Sequence, residues 1–220
     1  MRRVGVLISG RGSNLQALID AAATPDYPAQ LVVVIANRAD AGGLERASKA
    51  GIPTVVVPHR AFPTREAFDA ALDAELRRHS CDLVCLAGFM RLLTPGFVEG
   101  WHNRLINIHP SLLPAFKGTD GPGDALAAGV RIAGCTVHLV RAEMDSGPIL
   151  VQAAVPVLPG DDRTRLAQRI LAAEHQAYPL ALRLLASGAV RVEGDQLVFA
   201  NPDDQARTAL LLQLPLPSQG

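Results

Sequence analysis

The fold is decided near the N-terminus, by the stretch Val4-Gly5-Val6-Leu7-Ile8-Ser9-Gly10-Arg11-Gly12-Ser13-Asn14. Its first half is an apolar run of strand length, and its second half is a glycine-rich turn. A helical pattern over Leu15–Ala23 follows at once, and Ser13 or Asn14 is predicted to cap that helix. A strand, a turn and a helix in this order predict the first unit of an α/β sheet.

Short apolar runs continue to alternate with helical patterns through the first half of the chain. The predicted strands after Val4–Ser9 are Leu31–Ala36, Pro53–Val57, Leu83–Ala87 and Leu105–Ile108. The predicted helices between them are Leu44–Ala50, a helix from Thr64 to about His79, and a short one opened by Thr94-Pro95. Continuous apolar strands separated by helices indicate a parallel sheet covered on both faces. Ligands bind such sheets at the carboxyl ends of the strands.

The second half of the chain has a different pattern. Cys135–Val140 and Ile149–Val157 have no helix between them, so they are predicted to pair antiparallel. Arg163–Ala186 is predicted to be a long helix that Pro179 kinks or splits. A hairpin around Gly194-Asp195 and an extended or mobile tail are expected after it. The predicted fold class is α/β, a Rossmann-like, mostly parallel central sheet with helices on both faces and late antiparallel strands.

Composition excludes several classes of protein. The 21 basic and 21 acidic residues give a formal net charge of zero, which argues against nucleic-acid and membrane partners. No apolar run is long enough to span a bilayer. The three cysteines form no disulfide framework, so a reducing cytoplasm is expected. The histidines are scattered and no zinc spacing appears, so no metal is predicted.

The glycine-rich turn is a candidate anion site. Free N–H groups at a helix N-terminus, together with the helix dipole, favour a phosphate there. A plain turn with a good helix cap is the alternative. A nucleotide cofactor is disfavoured, because the G-x-G-x-x-G spacing fails and the second strand ends in Asn37-Arg38 rather than in an acid.

A second candidate site lies at the end of the fifth strand. Asn107 and His109 are two residues apart, so both side chains point to the same face of the strand. Asp145 lies in Asp145-Ser146-Gly147, which is an ordinary turn sequence. If its carboxylate lay near His109, it would orient the imidazole ring for proton transfer. The run Phe89-Met90-Arg91-Leu92-Leu93 is either core or an apolar slot for a flat ring.

Five motifs occur along the chain in a characteristic order. They are S-G-R-G-S-N-L-Q, A-G-F-M-R, N-I-H-P-S-L-L-P, G-C-T-V-H and D-S-G-P-I. Together they resemble the phosphoribosylglycinamide formyltransferase family of folate-dependent formyltransferases. The resemblance covers roughly residues 3–186 and implies the formyltransferase fold. It also implies transfer of a formyl group from the cosubstrate 10-formyltetrahydrofolate to the amine of glycinamide ribonucleotide in purine biosynthesis, without a metal.

The resemblance assigns a role to each matching residue. The implied catalytic residues are Asn107, His109 and Asp145. The resemblance implies that Gly12, Ser13 and Asn14 bind the substrate phosphate and that Glu174 contacts the ribonucleotide. The implied folate-binding residues are Arg65, Met90, Arg91, Leu92, Leu93 and Asn107. The family also implies a cis peptide bond at Leu113-Pro114.

The residue pattern and the resemblance together predict a domain organisation. An α/β domain is expected over residues 1–189, with a phosphate-binding half to about residue 100 and a folate and catalytic half over 101–189. A hairpin and an extended tail are expected over 190–220. The partners are small-molecule substrates, and a homodimer is left open.

One stretch departs from the family pattern, and other functions remain open. Thr119–Asp124 is rich in glycine and proline and lacks the histidine that the family often has, so a mobile loop is expected there.

A formyltetrahydrofolate hydrolase is the first alternative function, disfavoured because no N-terminal regulatory domain precedes the first strand. A non-catalytic nucleotide-binding protein of the same fold is the second.

Overall fold

The computed structural model describes residues 1–211. Its strands are β1 (Arg2–Ile8), β2 (Ala29–Ala36), β3 (Thr54–Val56), β4 (Leu83–Leu86), β5 (Leu105–His109), β6 (Ile132–Leu139), β7 (Ile149–Pro156), β8 (Val190–Glu193), β9 (Gln196–Phe199) and β10 (Ala209–Leu211). Its α-helices are α1 (Ser13–Ala22), α2 (Gly43–Lys49), α3 (Arg65–Arg78), α4 (Pro95–Gly100), α5 (Gly121–Ala127), α6 (Arg163–Ser187) and α7 (Pro202–Ala206).

The central sheet has eight strands in the order β10-β7-β6-β5-β4-β1-β2-β3. Strands β3, β2, β1, β4 and β5 are parallel neighbours, whereas β6 pairs antiparallel with both β5 and β7. The mostly parallel sheet with late antiparallel strands is therefore confirmed. Strands β8 and β9 form a separate antiparallel hairpin, as predicted.

Apolar side chains cover the sheet on both faces. In β1, Val4, Val6 and Ile8 belong to one buried cluster, and Leu7 belongs to the other. The first cluster includes side chains of α1 and α6, and the second includes side chains of α3 and α4. This arrangement explains why the strands are apolar throughout rather than alternating with polar residues.

The turn after β1 differs in detail from the prediction. Helix α1 begins at Ser13, and its N-cap is Gly12 rather than Ser13 or Asn14. Gly12 has φ 74°, in the left-handed region that glycine adopts without steric cost. A Cβ at Gly12 would lie 2.6 Å from the Cα of Gly43, so the close approach of two backbones requires glycine here. The close approach of the two backbones, rather than a capping side chain, therefore determines the residue at the N-cap.

Helix α6 is not split at Pro179. It runs without interruption from Arg163 to Ser187. Proline removes one backbone hydrogen bond, but Tyr178, Ala181 and Leu182 beside it are fully buried. This burial outweighs the lost bond, because each large apolar side chain contributes about 1.5–3 kcal/mol.

Two segments are more regular than predicted. The expected loop Thr119–Asp124 contains the start of α5, whose N-cap Asp120 accepts a hydrogen bond from the N–H of Gly123. Proline in the first turn suits this helix because its fixed φ is already helical. The tail expected to be extended holds α7 and then β10, which pairs parallel with β7. The rest of the predicted tail, residues 212–220, lies outside the described residues.

A buried tyrosine joins α6 to the centre of the sheet. The hydroxyl of Tyr178 lies 3.0 Å from the carbonyl oxygen of Leu86 and 3.2 Å from that of Ile106. These carbonyls belong to neighbouring strands β4 and β5. Burial raises the pKa of this hydroxyl well above its usual value, so it remains a donor. Tyr178 therefore links the two strands that lead into the site described below.

Replacing Tyr178 by phenylalanine tests this anchor. We expect Tyr178→Phe to lower the free energy of unfolding by about 1–3 kcal/mol, because two buried carbonyls lose their shared donor. Tyr27→Phe is the comparison, since its hydroxyl serves one carbonyl, that of Pro179, and should cost less. Urea unfolding of both variants measures the difference. An unchanged urea midpoint for Tyr178→Phe would contradict the anchoring role.

Candidate active site

The two polar residues of β5 lie at the carboxyl edge of the sheet, as predicted. His109 is buried, and its Nε2–H donates to the carbonyl oxygen of Phe116 at 3.0 Å. A carbonyl can only accept, so this contact places a proton on Nε2. Asn107 is half-buried on the same face of the strand, two residues earlier. The strand thus presents an amide and an imidazole side by side.

The structure brings Asp145 to His109, which sequence position alone did not predict. Its Oδ2 lies 3.6 Å from Nδ1 of His109, and the Asp145 side chain is 9% exposed. The backbone N–H of Gly118 donates to the same Oδ2 at 3.2 Å. Asp145 has φ 52°, a left-handed conformation that aspartate tolerates better than most residues. The turn between β6 and β7 therefore directs a nearly buried carboxylate at the imidazole.

His138 completes this group, and no role was predicted for it. It pairs with Asn107 across β5 and β6, and its Nδ1–H donates to the carbonyl oxygen of Leu139 at 3.0 Å. Its Nε2 can then accept from Nδ2 of Asn107 at 3.4 Å, and it lies 3.8 Å from Oδ1 of Asp145. Burial lowers the pKa of His138, which favours the neutral ring that this pattern needs.

A sequence signal for His138 was available. Within the apolar run of β6, the polar residues Thr136 and His138 are two positions apart and therefore share one face. Both are buried. Buried polar side chains need hydrogen-bond partners, so two of them on one face of a strand indicate a specific polar surface.

The turn after His109 is held by side chains from the neighbouring strands. The hydroxyl of Thr136 donates to the carbonyl of Ser111 at 2.7 Å and accepts from the N–H of Leu113 at 3.0 Å. The amide of Gln152 donates to the carbonyl of Leu113 at 2.9 Å. The peptide bond of Leu113-Pro114 is cis, as expected. These bonds fix the path of the chain immediately beyond His109.

An apolar slot of about 230 Å³ opens beside these residues. Asn107, His109 and Asp145 lie on its wall. Its other lining residues include the predicted Met90, Arg91, Leu92 and Leu93. Met90 and Leu92 are 73% and 64% exposed, so they are not core residues. Arg65 is exposed at the start of α3 and is not among the lining residues, so its predicted folate contact stays a prediction.

A larger cavity of about 770 Å³ adjoins the slot. Gly12, Ser13 and Asn14 line it, as do the neighbouring residues of the glycine-rich turn. The two cavities share Gly88, Met90 and Arg91 as lining residues, so they lie next to each other. Asn37, Arg38, His59 and Arg60 also line the larger cavity and were not predicted as site residues. The glycine-rich turn, which is the predicted anion site, is thus adjacent to the apolar slot.

Glu174 lies under the glycine-rich turn. Its Oε2 accepts from Nδ2 of Asn14 at 2.7 Å, and both residues are buried. Burial raises the pKa of Glu174 to about 7, although the hydrogen bond from Asn14 opposes the shift. Oδ1 of Asn14 is buried and has no hydrogen-bond partner within residues 1–211. Glu174 is not among the lining residues of the larger cavity, so the structure places it behind Asn14.

Metal ligation and membrane insertion can be examined over residues 1–211. No group of three or more His, Cys, Asp or Glu side chains in that range could hold a metal ion. None of the helices described has the length and hydropathy needed to cross a bilayer. The site can instead offer an amide donor, an imidazole backed by a carboxylate and an N-terminal helix turn. These groups can stabilise an oxyanion, move a proton and bind an anion.

Comparison with known proteins gives consistent matches. The family model described as formyl transferase matches residues 2–182. The phosphoribosylglycinamide formyltransferase of Escherichia coli K12 is 46% identical over 85% of this chain and 88% of its own length. The solved glycinamide ribonucleotide transformylase 1 of Symbiobacterium toebii is 51% identical, with a TM-score of 0.89, over 91% of this chain and 95% of that one.

Longer relatives match as well. The trifunctional purine biosynthetic protein adenosine-3 of Bos taurus is 53% identical over 91% of this chain. The chain spans only 20% of that protein's length. The region matched by the family model includes Asn107, His109, Asp145 and Glu174. The chain belongs to the formyl transferase family.

Proposed function

We propose that this chain transfers the formyl group of 10-formyltetrahydrofolate to the amine of glycinamide ribonucleotide. The products are formylglycinamide ribonucleotide and tetrahydrofolate, in de novo purine biosynthesis. The observation that carries the proposal is that the two cavities adjoin. An apolar slot with Asn107, His109 and Asp145 on its wall shares lining residues with the cavity of the glycine-rich turn. One site can therefore hold a flat-ring donor and a phosphate-bearing acceptor together.

The ribonucleotide phosphate is assigned to Gly12, Ser13 and Asn14. They stand at the N-terminus of the ten-residue helix α1, where N–H groups and the helix dipole attract an anion. Glu174 is assigned to the ribonucleotide as well, through its hydrogen bond with Asn14 or by direct contact once the turn adjusts. The names of the full-length relatives support this acceptor.

The folate is assigned to the slot. Met90, Leu92 and Leu93 supply apolar surface for the pterin ring, and Arg91 lies where the slot meets the larger cavity. Arg65 is kept as an outer contact of the same ligand. Asn107 serves both the folate and the chemistry, because it lies on the slot wall beside His109.

The reaction requires an oxyanion site and a proton path. The amine attacks the formyl carbon, and Asn107 and a protonated His109 donate hydrogen bonds to the resulting oxyanion. The new ammonium then loses a proton, and N10 of the folate gains one as the carbon–nitrogen bond to the carrier breaks. His109 passes this proton directly or through a water that Asp145 holds. The His109 Nε2–H donates to the Phe116 carbonyl in the free protein, and it donates to the substrate oxygen once the substrates are bound.

The cellular setting follows from the same proposal. We place the protein in the cytoplasm, acting on small molecules without a nucleic-acid or membrane partner. A homodimer is left open.

Two other functions would use the same residues. A formyltetrahydrofolate hydrolase would transfer the formyl group to water, and a non-catalytic nucleotide-binding protein would not transfer it. Incubation with 10-formyltetrahydrofolate, with and without glycinamide ribonucleotide, separates the three. We expect tetrahydrofolate to form only when the ribonucleotide is present. Equal turnover without the ribonucleotide would establish the hydrolase, and absence of turnover in both reactions would establish the binding protein.

Variants of His109 and Asp145 test the catalytic assignment. We expect His109→Gln and Asp145→Asn each to lower kcat by about a hundredfold or more, because a positioned acid–base group contributes about 10²–10⁴-fold. Asparagine tolerates the left-handed backbone of Asp145, so the loss in that variant reports the carboxylate. Steady-state kinetics and circular dichroism measure rate and fold.

The matched controls are His102→Gln and Asp195→Asn, whose side chains are 44% and 88% exposed. Both controls should keep the parent kcat. Near-parent turnover in His109→Gln or Asp145→Asn would remove that residue from the catalytic group.

A further inference from the structure

The glycine-rich turn is held from behind by helix α2. The backbone N–H of Gly43 donates to the carbonyl of Gly10 at 3.1 Å, and Nε of Arg46 donates to the carbonyl of Arg11 at 2.9 Å. Both donors belong to α2, and the two carbonyls are consecutive in the turn. Helix α2 therefore fixes two successive peptide units of the turn that precedes α1.

The bond from Arg46 sets the direction of the next N–H group. The peptide between Arg11 and Gly12 is trans, and in a planar trans peptide the carbonyl and the N–H point in opposite directions. Of the described residues, Arg46 lines a separate groove with Gln16 and Lys49, whereas Gly12 lines the larger cavity. Because the Arg11 carbonyl points to Arg46, the N–H of Gly12 is directed away from that groove, to the side of the larger cavity.

The N–H groups that follow Gly12 can bind an anion with it. The first backbone hydrogen bond of α1 runs from the N–H of Gln16 to the carbonyl of Gly12 at 2.9 Å. The N–H groups of Ser13 and Asn14 precede this bond and, as at any helix N-terminus, have no intrahelical acceptor. The N–H of Gly12 joins them only if its peptide keeps the orientation that Arg46 imposes. A flipped peptide would present the carbonyl oxygen of Arg11 instead, which repels a phosphate.

Arg46 is itself held in place from two sides. Its Nη1 donates to Oε1 of Gln16 at 3.2 Å, so the guanidinium bridges the turn and α1. Its aliphatic stem packs beside the turn, because a Cβ at Gly12 would lie 3.5 Å from Cδ of Arg46. A planar guanidinium has donors in fixed directions, which suits a bridge of this kind.

We propose that Arg46 is a positioning residue of the phosphate site. It holds the carbonyl of Arg11 turned away from the site, so that the N–H of Gly12 stays directed at the phosphate of the ribonucleotide. This inference rests on the proposed function, since it concerns how the acceptor of that reaction is bound. Arg46 touches no reacting atom, so its loss weakens binding of the ribonucleotide and leaves the chemical step unchanged.

Replacing Arg46 by methionine tests this role, because methionine keeps an apolar stem beside Gly12 and removes both hydrogen bonds. We expect Arg46→Met to raise the KM for glycinamide ribonucleotide about tenfold, since a hydrogen bond to a charged group contributes about that much. The parent values of kcat and of the KM for 10-formyltetrahydrofolate should be kept, because an interaction confined to ribonucleotide binding changes only that KM. Gln16→Leu removes only the second bond of Arg46, so it should raise the same KM by a smaller factor.

Arg3→Met is the matched control. Arg3 also donates to backbone carbonyls, those of His79 at 2.9 Å and Ser80 at 3.2 Å, but it lies at the start of β1, at the opposite edge of the sheet. It should keep all the parent constants.

A parent ribonucleotide KM in Arg46→Met, or in Gln16→Leu if the first variant does not fold, overturns the inference. A loss of kcat with a parallel rise of both KM values overturns it too, because a merely structural role would produce that pattern. Either result sinks only this inference, whereas absence of transfer in the parent enzyme sinks the proposed function with it.

Discussion

The site depends on the antiparallel pairing of β5 with β6. This pairing sets Asn107 opposite His138 and places the turn that follows β6 over the end of β5. Asp145, carried by that turn, then reaches both imidazoles. A shift of β6 by one residue would turn His138 and Thr136 to the other face of the sheet, because side chains alternate along a strand. The hydrogen bonds of Thr136 and Gln152 to the turn after His109 hold the register in place.

The parallel part of the sheet could be predicted from sequence because its signals are local. Strand β1, the glycine-rich turn and α1 are adjacent in the chain, and two residues on one strand necessarily share a face. Asp145 and His138 could not be placed in this way, since their roles arise from a strand pairing across about thirty residues. The family resemblance predicted Asp145 by matching a motif, but it assigned nothing to His138. Local rules also misjudged Gly12, where contact with Gly43 decides the backbone.

Burial and capping decide the structure at Pro179 and in the glycine-rich segment after Thr119. Pro179 lies within a continuous helix because the buried side chains around it hold α6 against the sheet. The segment after Thr119 was expected to be a loop, yet Asp120 caps α5 and also pairs with Arg163 at 2.7 Å. This pair brings the segment that follows Gly118 against α6. The backbone N–H of Gly118, which donates to Asp145, lies immediately before this segment.

The central claim is that the two adjoining cavities form one site, in which a ribonucleotide bound by its phosphate presents its amine to the formyl carbon of a folate bound by its pterin. A crystal structure of the ternary complex tests it most directly, with glycinamide ribonucleotide and a folate analogue that carries the formyl group on a carbon in place of N10. We expect the phosphate on the N–H groups of Gly12–Asn14 and the amine within about 3.5 Å of the formyl carbon. His109 should then donate to the formyl oxygen instead of the Phe116 carbonyl. A phosphate bound elsewhere, or an amine remote from His109, would contradict the account.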